Sequence, residues 1–109
     1  MFGRGARLGA TVVLLPLALP AQAQDIAAAR GRALAGVVCA RCHAVRAIGA
    51  SPMREAPPFR RLAGRFPIDD LADVLYEGVE RRHPAMPDFR LAPADAADLT
   101  AYLRTLRRR

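Results

Sequence analysis

An all-α protein of about four helices is what this sequence predicts, and three observations predict it. No stretch alternates apolar and polar residues as a half-buried strand does, and no internal repeat is present. Nine prolines in 109 residues interrupt any long element, so the helices must be short. Leu99, Tyr102, Leu103 and Leu106 recur at i, i+3, i+4 and i+7, the clearest amphipathic stripe in the chain. The length allows one domain. Apolar residues make up 52%, yet aromatics only 6% with no Trp, so the side chains available to fill a core are mostly small. That balance excludes disorder, a collagen-like chain and a coiled-coil rod.

The N-terminal stretch precedes the fold. Arg4 and Arg7 form a positive start, Leu8 to Ala21 carries no charge, and Ala21-Gln22-Ala23 is the small-x-small pattern of a signal-peptidase site. The apolar run is interrupted by Pro16 and is short for ~30 Å of hydrocarbon. Residues 1–23 are therefore expected to be a cleavable secretory signal, with 24–109 as a single domain, exported to the periplasm and without a membrane span after cleavage. The 86 residues that remain carry a net +5, and every basic residue is Arg. A chain so short buries a modest share of its surface and usually needs a disulfide, a metal or a cofactor. One disulfide, Cys39–Cys42, would close too small a loop to constrain much of the unfolded chain. The composition asks for a cofactor.

The first helix is expected from about Asp25, a plausible N-cap, to Cys42. Ile26, Ala29, Ala33 and Val37 share a face, with Leu34 and Val38 beside them. Gly31 and Gly36 weaken it by roughly 1 kcal/mol each, which a helix tolerates more readily where something approaches its backbone closely. A loop over Ala44–Pro58 follows. Pro58 starts a short second helix ending near Gly64, and Pro67 a third. Asp69 and Asp70 sit in the third helix's first turn, Leu71, Val74 and Leu75 form its apolar face, and Gly78 is the expected αL residue closing it. Val79 to Ala92 holds Pro84 and Pro87 and is irregular. The last helix begins at Pro93, with Asp95 and Asp98 early and Arg104, Arg107 and Arg108 late.

Chemistry concentrates in Cys39-Ala40-Arg41-Cys42-His43. Two thiols three apart on a helical turn fall on one side, within reach of the two vinyl groups of one haem edge. The adjacent His43 then presents its imidazole to the iron, so the motif is a c-type haem attachment site. Two other readings compete. A thioredoxin-like redox pair needs a preceding strand and a βαβ frame, and a helix precedes this motif. A structural zinc site would need Cys39, Cys42, His43 and His83 together.

With these residues the chain resembles class I cytochrome c, in its small bacterial exported monohaem form. The shared order is an N-terminal helix, Cys-x-x-Cys-His, a Pro-rich loop, a Met in a late loop and a C-terminal helix, over roughly Asp25 to Leu106. The resemblance implies four helices wrapped around one haem c, covalently bound through Cys39 and Cys42. It makes His43 the proximal ligand, its second ring nitrogen donating to a proline carbonyl in the next loop. Within Pro57-Pro58-Phe59-Arg60-Arg61-Leu62-Ala63-Gly64-Arg65, Pro57 is the better match and Pro58 the second. Phe59 would lie against the porphyrin and Arg65 near a propionate.

For the sixth position, processing leaves Met53 and Met86, with His83 as the other His. Met86, in His83-Pro84-Ala85-Met86-Pro87 with Phe89 following, resembles the family's Met-bearing loop, and its flanking prolines lower the entropy lost on ligation. Met53 must share its span with the turn that holds His43. His83 as ligand, or an open sixth site, remain alternatives. Gly31 falls where the family places a small residue so that the C-terminal helix can cross, with Leu99 and Tyr102 on the partner. Ala35 departs from a common aromatic, so that crossing should be less filled.

The function implied is one-electron transfer between redox partners, acidic-surfaced or membrane-bound, and not catalysis. The alternatives are a haem-c subunit of a dehydrogenase or oxidase complex, or a haem gas sensor or enzyme with an open sixth site. Arg41, Arg46, Arg81 and Arg82 could ring the haem edge and steer an acidic partner, or simply form a solvated face. No aromatic–basic interleaving points to nucleic acid.

Overall fold

The computed structural model describes residues 2–16, 20–78, 85–87 and 90–107. Residues 2–16 form no helix or strand and are exposed throughout. Four helices follow: α1 (Pro20–Val38), α2 (Phe59–Arg65), α3 (Ile68–Glu77) and α4 (Pro93–Arg107). No strand occurs among the described residues.

The prolines set the helix starts. Pro58 and Pro67 occupy the position just before α2 and α3, and Pro93 is the first residue of α4. Each lacks an N–H that the first turn would leave unpaired anyway, and its fixed φ suits helix entry. α2 and α3 thus begin one residue later than expected, and α2 runs on to Arg65. Asp69, Asp70 and Asp95 lie in first turns, and Arg104 and Arg107 in the last turn of α4, each favourable to the helix dipole. Arg108 lies outside the described residues. Gly78 closes α3 with its N–H on the Val74 carbonyl at 2.8 Å. At φ 113° and ψ 151°, however, it occupies the extended mirror region open almost only to glycine, and not the αL region expected.

α1 corrects three expectations. It starts at Pro20, five residues early, because Ala21-Gln22-Ala23-Gln24 are all good helix formers; Asp25 lies inside the helix and is no N-cap. It ends at Val38, and Cys39–Cys42 form a turn beyond it. Its buried face is Ala28, Gly31 and Ala35, whereas Ile26, Val37 and Val38 are exposed at 58%, 86% and 45%. The expected face, built on the larger apolar residues, is therefore wrong. Closeness of approach selects the face, and size does not.

That approach is to α4, which contacts all three other helices. A Cβ built on Gly31 would sit 2.0 Å from the Asp98 carbonyl oxygen and 2.9 Å from Tyr102 Cβ, so two backbones nearly touch there. Gly36, by contrast, has open space around it, and no close approach explains it. Leu99, Tyr102, Leu103 and Leu106 are all buried, as the stripe predicts. Fully burying a side chain such as Leu99 contributes about 2 kcal/mol. Ala35 is completely buried in the same core. Ile68 is buried beneath α3, while Leu71 and Leu75 pack half-buried against the core. Arg30 clamps Asp98 through two bonds of 2.7 and 2.8 Å beside the Gly31 crossing, and its guanidinium holds the Asp98 carboxyl below the usual carboxylate range. On the other side of α4, Arg104 reaches Asp69 of α3 at 2.8 Å.

Candidate functional site

The motif is built on the run-out of α1. The Cys39 and Ala40 amides both reach the Ala35 carbonyl, at 2.9 and 3.0 Å, which widens the last turn. The Cys42 and His43 amides both return to the Cys39 carbonyl, at 3.2 and 3.0 Å, which tightens the next. Cys39 and Cys42 are therefore held by hydrogen-bonded turns beyond α1 and not by the helix itself. Cys39 is buried, Cys42 is half-buried, and both are free thiols. Burial pushes the Cys39 thiol up to about 11, so it is protonated at neutral pH. A thioredoxin-like nucleophile requires the opposite shift. Among the described residues, no three His, Cys, Asp or Glu side chains gather as metal ligands, so Cys39, Cys42 and His43 form no zinc-type cluster. His83, the fourth member of that alternative, lies outside the described residues.

His43 is buried and oriented by the chain that follows it. Its Nδ1 lies 2.8 Å from the Pro57 carbonyl oxygen. A carbonyl only accepts, so Nδ1 carries a proton, and in the neutral ring the lone pair is then on Nε2. Of the two candidate prolines, the carbonyl is that of Pro57. The local reason is one backbone bond: the Phe59 amide, at the head of α2, donates to the Ala44 carbonyl at 2.9 Å. That bond places residue 57 opposite residue 43. Phe59 itself is buried, its ring centroid 5.4 Å from that of His43 at a 52° tilt.

The remaining expected residues are more dispersed. Arg65 is exposed in the last turn of α2 and makes no ion pair or side-chain hydrogen bond among the described residues. Met86 is half-buried in the described stretch 85–87. Met53 is tied into the loop after the motif, its amide donating to the Cys42 carbonyl at 3.1 Å. Arg41 and Arg46 are exposed. Arg81, Arg82, Pro84 and Phe89 lie outside the described residues. Two groups that fix this region escaped the sequence reading. Ser51 accepts from the Ala44 amide at 3.0 Å, and the buried Tyr102 hydroxyl donates to the Val45 carbonyl. No local pattern marks Ser51, and the sequence places Tyr102 in the apolar stripe and at the Gly31 crossing without marking its hydroxyl.

Comparison with known proteins bears on the same residues. The family model for cytochrome c matches residues 28–107, which include the motif, the loop and all of α2 to α4. This chain belongs to the cytochrome c family. It is 34% identical over 101 residues to cytochrome c-552 of Bradyrhizobium diazoefficiens, a match covering 91% of this chain and 93% of that protein. No solved structure matches the chain.

The four helices, with no strand among the described residues, agree with the small all-α cytochrome c fold. The residues present also fit the family's cofactor: two free thiols at the attachment spacing, and an imidazole whose Nε2 is left to donate. As a cytochrome c the chain binds haem c, with Cys39 and Cys42 as the attachment pair, and serves in electron transfer. No helix among the described residues is long and apolar enough to cross a membrane.

Proposed function

We propose that the mature chain is a periplasmic one-electron carrier whose single haem c is held by Cys39 and Cys42 and ligated by His43 and Met86. The observation that carries this reading is the Nδ1–H bond from His43 to the Pro57 carbonyl. It fixes the tautomer and ring direction in advance and raises the basicity of Nε2. Haem, when bound, supplies the ferric/ferrous couple. The chain's own residues would do the rest: Cys39 and Cys42 would hold the ring by thioether bonds, Phe59 would pack beside it, and Arg65 would meet a propionate. Met86 supplies a soft thioether that favours the ferrous state. Met53 is the weaker candidate, since its amide is bound to the Cys42 carbonyl within the loop that already serves His43. With His43 and Met86 both reserved for a bound haem, the chain would leave no position for a substrate, and the group would supply one-electron chemistry alone.

Residues 1–23 act as the export signal in this reading and are removed. Ala21-Gln22-Ala23 lies within the exposed first turn of α1, so cleavage requires that turn to be extended. The partner is a redox protein with an acidic docking face, steered by the exposed Arg41 and Arg46.

Ionic strength tests the carrier role. The rate of electron exchange with an acidic redox protein should fall steadily from about 0.01 M to 1 M salt, as the screening length shrinks from ~30 to ~3 Å. Replacing Arg41 and Arg46 with Gln should flatten that slope. A rate indifferent to salt in the unmodified protein would contradict charge-steered docking.

A further inference from the structure

The chain between His43 and α2 contains no regular structure, yet it is pinned at several points. The Phe59 amide holds the Ala44 carbonyl at 2.9 Å, the Arg60 guanidinium holds the Gly49 carbonyl at 2.7 Å, and the Tyr102 hydroxyl holds the Val45 carbonyl. Gly49 turns the chain at φ 103°, a conformation that favours glycine. Each of these bonds fixes a carbonyl. The amide of Ala44, in a buried residue directly after His43, is satisfied by a side chain instead: it donates to Ser51 Oγ at 3.0 Å. Ser51 precedes Pro52, which confines its backbone to extended conformations and so limits where its hydroxyl can sit.

We propose that Ser51 is a positioning residue for His43: by holding the Ala44 amide, its hydroxyl fixes the loop that presents the Pro57 carbonyl to the imidazole. This deepens the reading of His43 as proximal ligand and rests on it. The Nδ1–H bond to Pro57 draws the shared proton toward the carbonyl and makes Nε2 a stronger donor, which favours ferric iron and lowers the potential. Without the Ser51 hydroxyl, a buried amide loses its partner and residues 44–51 shift to rehydrate it. The Ala44 carbonyl that anchors the Phe59 amide moves with that residue, so the Pro57 carbonyl shifts and its bond to Nδ1 lengthens. Nε2 then donates less and the potential rises. The bonds from Phe59, Arg60 and Tyr102 do not involve Ser51, so the substituted protein still folds.

The test uses the haem-loaded protein with Ser51→Ala, Ser51→Thr and, separately, His43→Gly. Midpoint potential and hydrogen exchange at the Ala44 amide are the readouts. Ser51→Ala should raise the potential and speed exchange at Ala44. Ser51→Thr keeps the hydroxyl and should stay near wild type in both, and both variants should keep a low-spin spectrum. An unchanged potential in Ser51→Ala, or an equal rise in Ser51→Thr, would overturn the role given to Ser51. His43→Gly should lose the low-spin spectrum and regain it with added imidazole. A low-spin His43→Gly without imidazole would instead overturn the ligand assignment itself, whatever Ser51 does.

Discussion

Met86→Ala should open the iron. Alanine offers no donor atom, so water or an added ligand enters the sixth position, and the far-red charge-transfer band of the oxidised protein should vanish. The potential should fall, because ferrous iron loses the soft partner that favours it; axial ligands set haem potentials over a range of ~0.8 V, so a change of ligand is large. Reduced Met86→Ala should bind carbon monoxide readily. Met53→Ala, in the loop that serves His43, should leave both band and potential nearly unchanged. Were His83 the ligand, Met86→Ala would be spectroscopically silent and His83→Ala would open the site.

Gly31→Ala should destabilise the chain strongly, since none of Gly3, Gly5, Gly9, Gly36, Gly49 and Gly64 has a neighbour within 4 Å of an added Cβ. Its Cβ would lie 2.0 Å from the Asp98 carbonyl oxygen and 2.6 Å from the Asp98 carbonyl carbon, both main-chain atoms that cannot rotate aside. Relief requires α4 to move off α1, disturbing the packing of Leu99 and Tyr102 together. Overpacking of this kind costs about 1–3 kcal/mol and occasionally more. A domain of this size loses ~4–8 °C in melting temperature per kcal/mol, so a drop of roughly 4–24 °C is expected in thermal unfolding of the haem-loaded protein. A melting temperature unchanged from wild type would mean the helices do not cross at Gly31. The Tyr102 hydroxyl bond to Val45 transmits the same crossing to the residues next to His43.

What the sequence made legible follows from how local each signal is. Cys39, Cys42 and His43 are adjacent, so their spacing alone fixes the chemistry they can share. Pro58, Pro67 and Pro93 mark helix starts to within a residue, because the missing N–H acts at the site where it occurs. The α4 stripe is legible because it contains large residues on one face. α1 is alanine-rich, and its periodicity cannot tell the face of Ile26 and Val37 from that of Ala28, Gly31 and Ala35. That choice was made by α4, a helix some sixty residues away in sequence, and its one local trace is Gly31. Gly78 was correctly placed as the stop of α3, but its ψ depends on where the chain goes next, which composition does not encode. The choice of Pro57 over Pro58 rested on a backbone bond between Phe59 and Ala44, and Ser51 on a side-chain bond across the loop. Neither has a sequence signature.

The central claim, an electron carrier whose iron is closed on both faces, is tested most directly by adding carbon monoxide to the reduced wild-type protein and recording its visible spectrum. If His43 and Met86 both ligate, as proposed, no position is free, and the Soret and visible bands should stay unchanged at carbon monoxide concentrations that saturate Met86→Ala. Rapid, stoichiometric carbon monoxide binding by the wild type would contradict the account, because it would place an open site on the iron and make the chain a sensor or an enzyme.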